Sequence, residues 1–137
     1  INSPDFDFSF SGLKTAVLYY IRNHPHANKA KIAYEFQQAV VDVLVSKTRK
    51  ALQKYSRGQK PIKSLVVGGG VAANNSLRLA IEHLSSNAFP KISLHISPLW
   101  LCGDNAAMIA IAAYFRTRAG KFSKSGKIKA QGNLRLT

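Results

Sequence analysis

The residues best suited to chemistry fall in two short runs, and the first is Gly68-Gly69-Gly70-Val71-Ala72-Ala73-Asn74. Glycines let a phosphate or sugar come close to the backbone. Where such a turn feeds a helix, the exposed N–H groups and the positive helix end favour an anion. Gly68-x-Gly70-x-x-Ala73 also fits the dinucleotide fingerprint in its G-x-G-x-x-A form. That fold wants an acidic residue about 20 positions further on to hold the ribose. No Asp or Glu stands between Glu82 and Asp104, so a nicotinamide site lacks its acid. A plainer reading gives the glycines a tight turn and makes Asn74 a helix cap.

The second run is Leu101-Cys102-Gly103-Asp104, just before a helical pattern. Two roles are open to Asp104. Its carboxylate can accept the free N–H groups of the helix that follows, or it can point from a strand-to-helix junction into the same cleft as Asn74 and ligate a metal that neutralises phosphate charge. Spacing does not choose between them. His24, His26, His83 and His95 include no pair four residues apart, so no helical two-histidine metal site and no H-E-x-x-H helix is present. Cys102 has no neighbouring base to activate it and reads as a small packing residue.

These residues need elements to position them. Phe6-Asp7-Phe8-Ser9-Phe10 alternates with a period of two, as a short strand or an extended arm does, and Ser11-Gly12 breaks it. Leu13, Ala16, Val17, Tyr20 and Ile21 recur at helical spacing until Pro25. A longer stripe, Ile32, Phe36, Val40, Val43, Leu44, Ala51, Leu52 and Tyr55, predicts one amphipathic helix over 29–56, with Lys47, Arg49, Lys50 and Lys54 mainly on its other faces and Gly58 and Pro61 ending it. Ser64-Leu65-Val66-Val67 reads as a buried strand feeding the glycine turn. Asn74 or Asn75 caps the helix of Leu77, Ala80, Ile81 and Leu84. Ile92–Ile96 alternates between two prolines as another strand, and a last helix runs from about Asn105 through Phe115. Strand, helix, strand, helix is the signature of an α/β layer with at least two parallel strands. Two strands are few for four helices. Either Phe6–Phe10 adds a strand, or the sheet is completed by sequence upstream.

Composition narrows the function classes. Hydrophobic residues make up 46% and charged residues 19% of the 137, the balance of a chain that folds. No apolar run reaches the roughly 18 residues that cross a bilayer, and no targeting segment opens the sequence. A single cysteine excludes an internal disulfide and suits a reducing cytosol. The only methionine is Met108, so an upstream continuation is expected. Twenty Lys and Arg against six Asp and Glu give a formal charge of +14, which favours polyanionic partners such as nucleic acid. After Asp104 every charged residue is basic, from Arg116 through Lys121 to Arg135. Residues 119–137 therefore form a basic tail, either a phosphate-binding segment with steep salt dependence or a solvated terminus.

Three segments, in order and in register, resemble one family: Phe8-Ser9-Phe10-Ser11-Gly12-Leu13-Lys14-Thr15, Gly69-Gly70-Val71-Ala72-Ala73-Asn74 with Leu77-Arg78, and Leu101-Cys102-Gly103-Asp104-Asn105-Ala106-Ala107-Met108-Ile109-Ala110. The family is the tRNA adenosine threonylcarbamoyltransferases, long labelled O-sialoglycoprotein endopeptidase or glycoprotease. Gly103 stands where that family more usually has Thr. The resemblance implies an α/β fold, a ribonuclease-H-like lobe of the actin, sugar kinase and Hsp70 ATPase superfamily. Residues 1–118 would be most of the second lobe. It implies that Gly69, Gly70 and Asn74 line a pocket for ATP or threonylcarbamoyl-adenylate, that Asp104 is one ligand of an iron or zinc ion, and that the acceptor is tRNA. It further implies a cytoplasmic enzyme, proteins that make or deliver the adenylate as partners, and an upstream lobe holding the family's histidine pair and first phosphate loop, without which turnover is not expected. Two other classes stand against this reading: a metalloprotease, after the old label, and a non-catalytic module that binds nucleotide or RNA.

Overall fold

A computed structural model describes residues 5–57 and 60–121. The order of elements is α1 (Ser11–Asn23), α2 (Lys29–Tyr55), β1 (Ser64–Val67), a 3-10 turn (Gly70–Ala73), α3 (Asn75–Ala88), β2 (Ser93–Ile96), a second 3-10 turn (Leu99–Leu101) and α4 (Ala106–Arg118). The chain divides into two compact units, Ile1–Cys102 and Gly103–Thr137.

In the first unit β1 and β2 pair in parallel, with Ser64 opposite Ser93 and Val67 opposite Ile96. Period-two geometry sends Leu65, Val67, Leu94 and Ile96 to one face. That face packs against a core of Val41 and Leu52 from α2, Leu77, Ile81 and Leu84 from α3, and Ile92. The helices are set by local chemistry as well as by this burial. Asn28 starts α2, its side-chain oxygen accepting from the N–H groups of Ala30 at 3.0 Å and Lys31 at 3.1 Å. The expected α/β layer with two parallel strands is therefore present, and all six predicted elements from Leu13 onward appear within a few residues of their expected bounds.

One open choice is decided and two expectations are corrected. The sheet among the described residues has two strands, and Phe6–Phe10 is not one of them. It is an arm laid along α2, with the Phe6 ring 5.8 Å from that of Tyr55. Lys47 does not share the solvent-facing side of α2: it is 4% exposed, donating to the backbone carbonyls of Asp5 and Asp7 and pairing with the Asp5 carboxylate at 3.2 Å. A buried ammonium needs such partners, and the arm supplies them. Nor is β1 buried on both faces, since Val66 is 72% exposed. Two strands with helices on one side leave the other side open.

The second unit is described through α4. Asn105 caps it, accepting from the N–H of Met108 at 3.0 Å. Its far end closes on Gly120 at φ 67°, with the Gly120 N–H bonded to the Thr117 carbonyl at 3.0 Å and the Lys121 N–H to that of Arg116 at 2.9 Å. These two bonds are the 5→2 and 6→1 closures of a left-handed helix stop. Residues 122–137, most of the predicted basic tail, lie outside the described residues, as does Gly58. No helix of the described residues is long and apolar enough to cross a membrane.

Candidate functional site

The glycine turn stands at the carboxyl end of β1, where open α/β sheets hold their ligands. Gly69 adopts φ 83°, ψ 173°, a conformation that is nearly exclusive to glycine. A Cβ built on Gly69 meets nothing within 4 Å, so the space above that peptide is open. The chain then winds through the 3-10 turn, its Ala72 N–H bonded to the Gly69 carbonyl at 3.0 Å, and enters α3. Ala72 is buried beneath the turn.

Asn74 fixes the exit of this turn. Its side-chain oxygen accepts from the Leu77 N–H at 3.0 Å, the cap that the sequence allowed. Its amide nitrogen donates to the Gln37 side chain on α2 at 3.0 Å, and Gln37 in turn donates to the Ser76 hydroxyl at 3.0 Å. Both polar ends of Asn74 are thus engaged within the protein, tying the start of α3 to the long helix. Gly69, Gly70 and Asn74 thus lie in one turn, whose exit Asn74 fixes.

A second loop, Ser97–Cys102, leaves the carboxyl end of β2 beside the turn. The Ser97 hydroxyl lies 3.1 Å from where a Cβ on Gly68 would stand, and the Cys102 carbonyl 4.0 Å from that of Gly70. Arg78, on the first turn of α3, reaches under this loop. Its guanidinium donates to the Ser97 carbonyl and lies 3.6 Å from the Cys102 sulfur, while its buried Nε has no partner. Cys102 is buried, its thiol directed at the carbonyls of Ser97 and Pro98, which agrees with a packing role. Sequence reasoning passed over Arg78 as a structural device, although Leu77-Arg78 was part of the motif.

Asp104 belongs to the second unit. The helix cap there is Asn105, so the capping role open to Asp104 is not the one it has; its residue is exposed. Among the described residues no group of three or more His, Cys, Asp or Glu could hold a metal ion. One carboxylate does not fit iron or zinc, which take about four ligands in sites of this kind, so these donors alone make no metal centre.

Residues 1–111 match the model of the TsaD family, tRNA N6-adenosine threonylcarbamoyltransferase. The chain belongs to this family. Among curated TsaD relatives, that of Enterococcus faecalis is 43% identical over 127 residues, which cover 90% of this chain and 35% of the relative. That of Francisella philomiragia is 48% identical over 118 residues, 84% of this chain and 33% of the relative. That of Streptococcus agalactiae is 44% identical over 138 aligned positions, covering 98% and 38%. All three are named tRNA N6-adenosine threonylcarbamoyltransferase. The chain spans roughly a third of the length of these TsaD relatives, and the matched third holds both the glycine turn and Asp104.

Proposed function

We propose that this chain is the nucleotide-contacting part of a tRNA N6-adenosine threonylcarbamoyltransferase, forming one wall of a site for threonylcarbamoyl-adenylate. The observation that carries the reading is Gly69: a residue held at φ 83° with open space above it, at the carboxyl end of a parallel strand, in a chain of this family. Peptide N–H groups of the turn and the start of α3 would face the adenylate phosphate, and Asn74 would keep that geometry by locking the turn to α2 through Gln37. The acceptor amine of a tRNA adenosine then attacks the carbamoyl carbon. The new N–C bond forms as the bond to the phosphate oxygen breaks, AMP leaves, and the amine gives up a proton. Holding the two reactants in line is the main contribution asked of this wall.

The architecture that goes with this reading is a ribonuclease-H-like lobe of the actin and Hsp70 superfamily, working in the cytoplasm with a second lobe and with the proteins that supply the adenylate. The iron or zinc implied by the resemblance would use Asp104 as one donor among several from outside this chain, and no step above passes through it. The basic residues after Asp104 would meet tRNA phosphates.

The test is reconstitution. Full-length protein carrying this sequence, given tRNA and threonylcarbamoyl-adenylate, is expected to form threonylcarbamoyladenosine, while the 137-residue chain alone forms none. Gly69→Ala in the full-length protein should lower the rate at least about tenfold, the effect of roughly 1.4 kcal/mol of strain or displacement at the phosphate. Full-length protein that binds both substrates and yields no modified tRNA rejects the reading.

A further inference from the structure

The loop Ser97–Cys102 is held at both ends. Its feet rest beside Gly68 and Gly70, at the 3.1 Å and 4.0 Å approaches given above, and Arg78 grips both feet from below through the Ser97 carbonyl and the Cys102 sulfur. Between them the crest is a single 3-10 turn, closed by Leu101 N–H to the Pro98 carbonyl at 2.9 Å and Cys102 N–H to that of Leu99 at 3.1 Å. That crest lifts two large apolar residues into solvent, Leu99 at 59% and Trp100 at 73% exposure. Cys102, two residues on, is 4% exposed, so the display is local to the crest and the loop is otherwise anchored.

An exposed indole, on a loop whose feet stand beside a backbone shaped for phosphate or sugar, has the properties of a base platform. Every base has a π-face, and aromatic side chains bind bases by stacking without needing further hydrogen bonds. Because the loop backbone is already anchored, only the side-chain torsions of the indole need be ordered when it is covered. Resting on the adenylate reading above, we infer that Trp100 stacks on an adenine base brought to the glycine turn. Two adenines enter the proposed reaction, that of the adenylate donor and that of the tRNA acceptor, and the same ring chemistry recognises either.

The experiment uses the full-length protein carrying this sequence, with AMP, ribose 5-phosphate and a short adenine-containing single-stranded RNA as probes. Trp100→Phe gives the emission due to Trp100 by difference. Saturable quenching of that emission by AMP assigns the platform to the donor, quenching by the RNA alone assigns it to the acceptor, and ribose 5-phosphate should leave it unchanged. Affinities measured by equilibrium dialysis, which does not depend on fluorescence, should fall about 5- to 150-fold in Trp100→Ala, the usual loss for removing one stacking aromatic. Trp100→Phe should keep most of the affinity. Equal affinity of wild type and Trp100→Ala for both AMP and RNA overturns the inference, as does quenching by ribose 5-phosphate equal to that by AMP. If Gly69→Ala weakens AMP binding while Trp100→Ala does not, the stacking inference fails and the adenylate site stands. If no probe binds the wild-type protein, both fail together.

Discussion

The same local pattern occurs twice in this chain, and only the first copy is packed within its own unit. From β1 the chain passes through a 3-10 turn to an asparagine-capped helix, α3, and from β2 it passes through another 3-10 turn to an asparagine-capped helix, α4. Helix α3 buries Leu77, Ile81, Leu84 and Ser85, whereas α4 buries nothing although it is bounded by a complete cap at each end. Its Ile109 is 72% and its Phe115 61% exposed. Caps and turns decide where a helix starts and stops, but at about 12–15 residues a helix is marginal in water without tertiary packing. The two helices therefore separate what local sequence encodes from what burial adds.

The largest expected difference lies in the core side chains. Leu84→Ala, at a position 2% exposed, should destabilise the first unit by about 2–5 kcal/mol, read as a lower urea midpoint at unchanged slope. Ile109→Ala should shift the same transition by no more than about 0.5 kcal/mol. A cost above about 2 kcal/mol at Ile109 would show that α4 is covered in solution and would abolish the contrast.

The two left-handed glycines come next. Gly69→Ala forces a side chain into a conformation with φ 83° and ψ 173° and should cost about 1–3 kcal/mol. Gly120→Ala, at φ 67° in an ordinary helix stop, should cost about 1 kcal/mol and should act only on α4. Circular dichroism melts of the two variants measure the first effect, and amide exchange of residues 115–121 the second. Equal loss of global stability in both variants would mean that the two units unfold as one.

Much of this arrangement was legible in the sequence, because it is written in short-range chemistry. Ser64–Val67 could be read from a β-branched run ending on glycine, α3 from Asn74 and a three-to-four-residue apolar stripe, and the family from three motifs in register. What escaped depends on distant partners. Lys47 lies among solvated basic residues of α2, and the arm at Asp5 and Asp7, about forty positions earlier in sequence, helps make its burial tolerable. Phe6–Phe10 has the alternation of a strand but has no strand to pair with; aromatic packing against α2 takes its place. At the site, Gly69 and Gly70 were recognisable by type. The grip of Arg78 on Ser97 and Cys102 was not, since no local rule predicts which carbonyls a buried guanidinium will reach. Asp104 and Asn105 are adjacent, both accept helix N–H groups well, and the choice between them is one of backbone direction.

The smallest effects are the sharpest test of the comparison, because they remove the same chemical group from each helix. Asn105→Ala deletes the capping bond from Met108 N–H and a local donation from its side-chain amide to the Gly103 carbonyl, and should cost about 0.5–1 kcal/mol, seen as fraying of the first turn of α4 in amide exchange. Asn74→Ala deletes the matching bond to Leu77 N–H and also the tie to Gln37. If the cap alone matters, the two losses are equal. If α3 depends on its link to α2, Asn74→Ala costs up to about 2 kcal/mol and lowers the urea midpoint of the whole first unit. Adding Gln37→Ala then separates the terms: the double variant should lose little beyond Asn74→Ala, since the Gln37 bond is already gone, apart from the hydrogen bond from Gln37 to Ser76. Strictly additive losses would mean that the asparagine acts on its own helix only, and the glycine turn would then be held to the long helix by apolar packing alone.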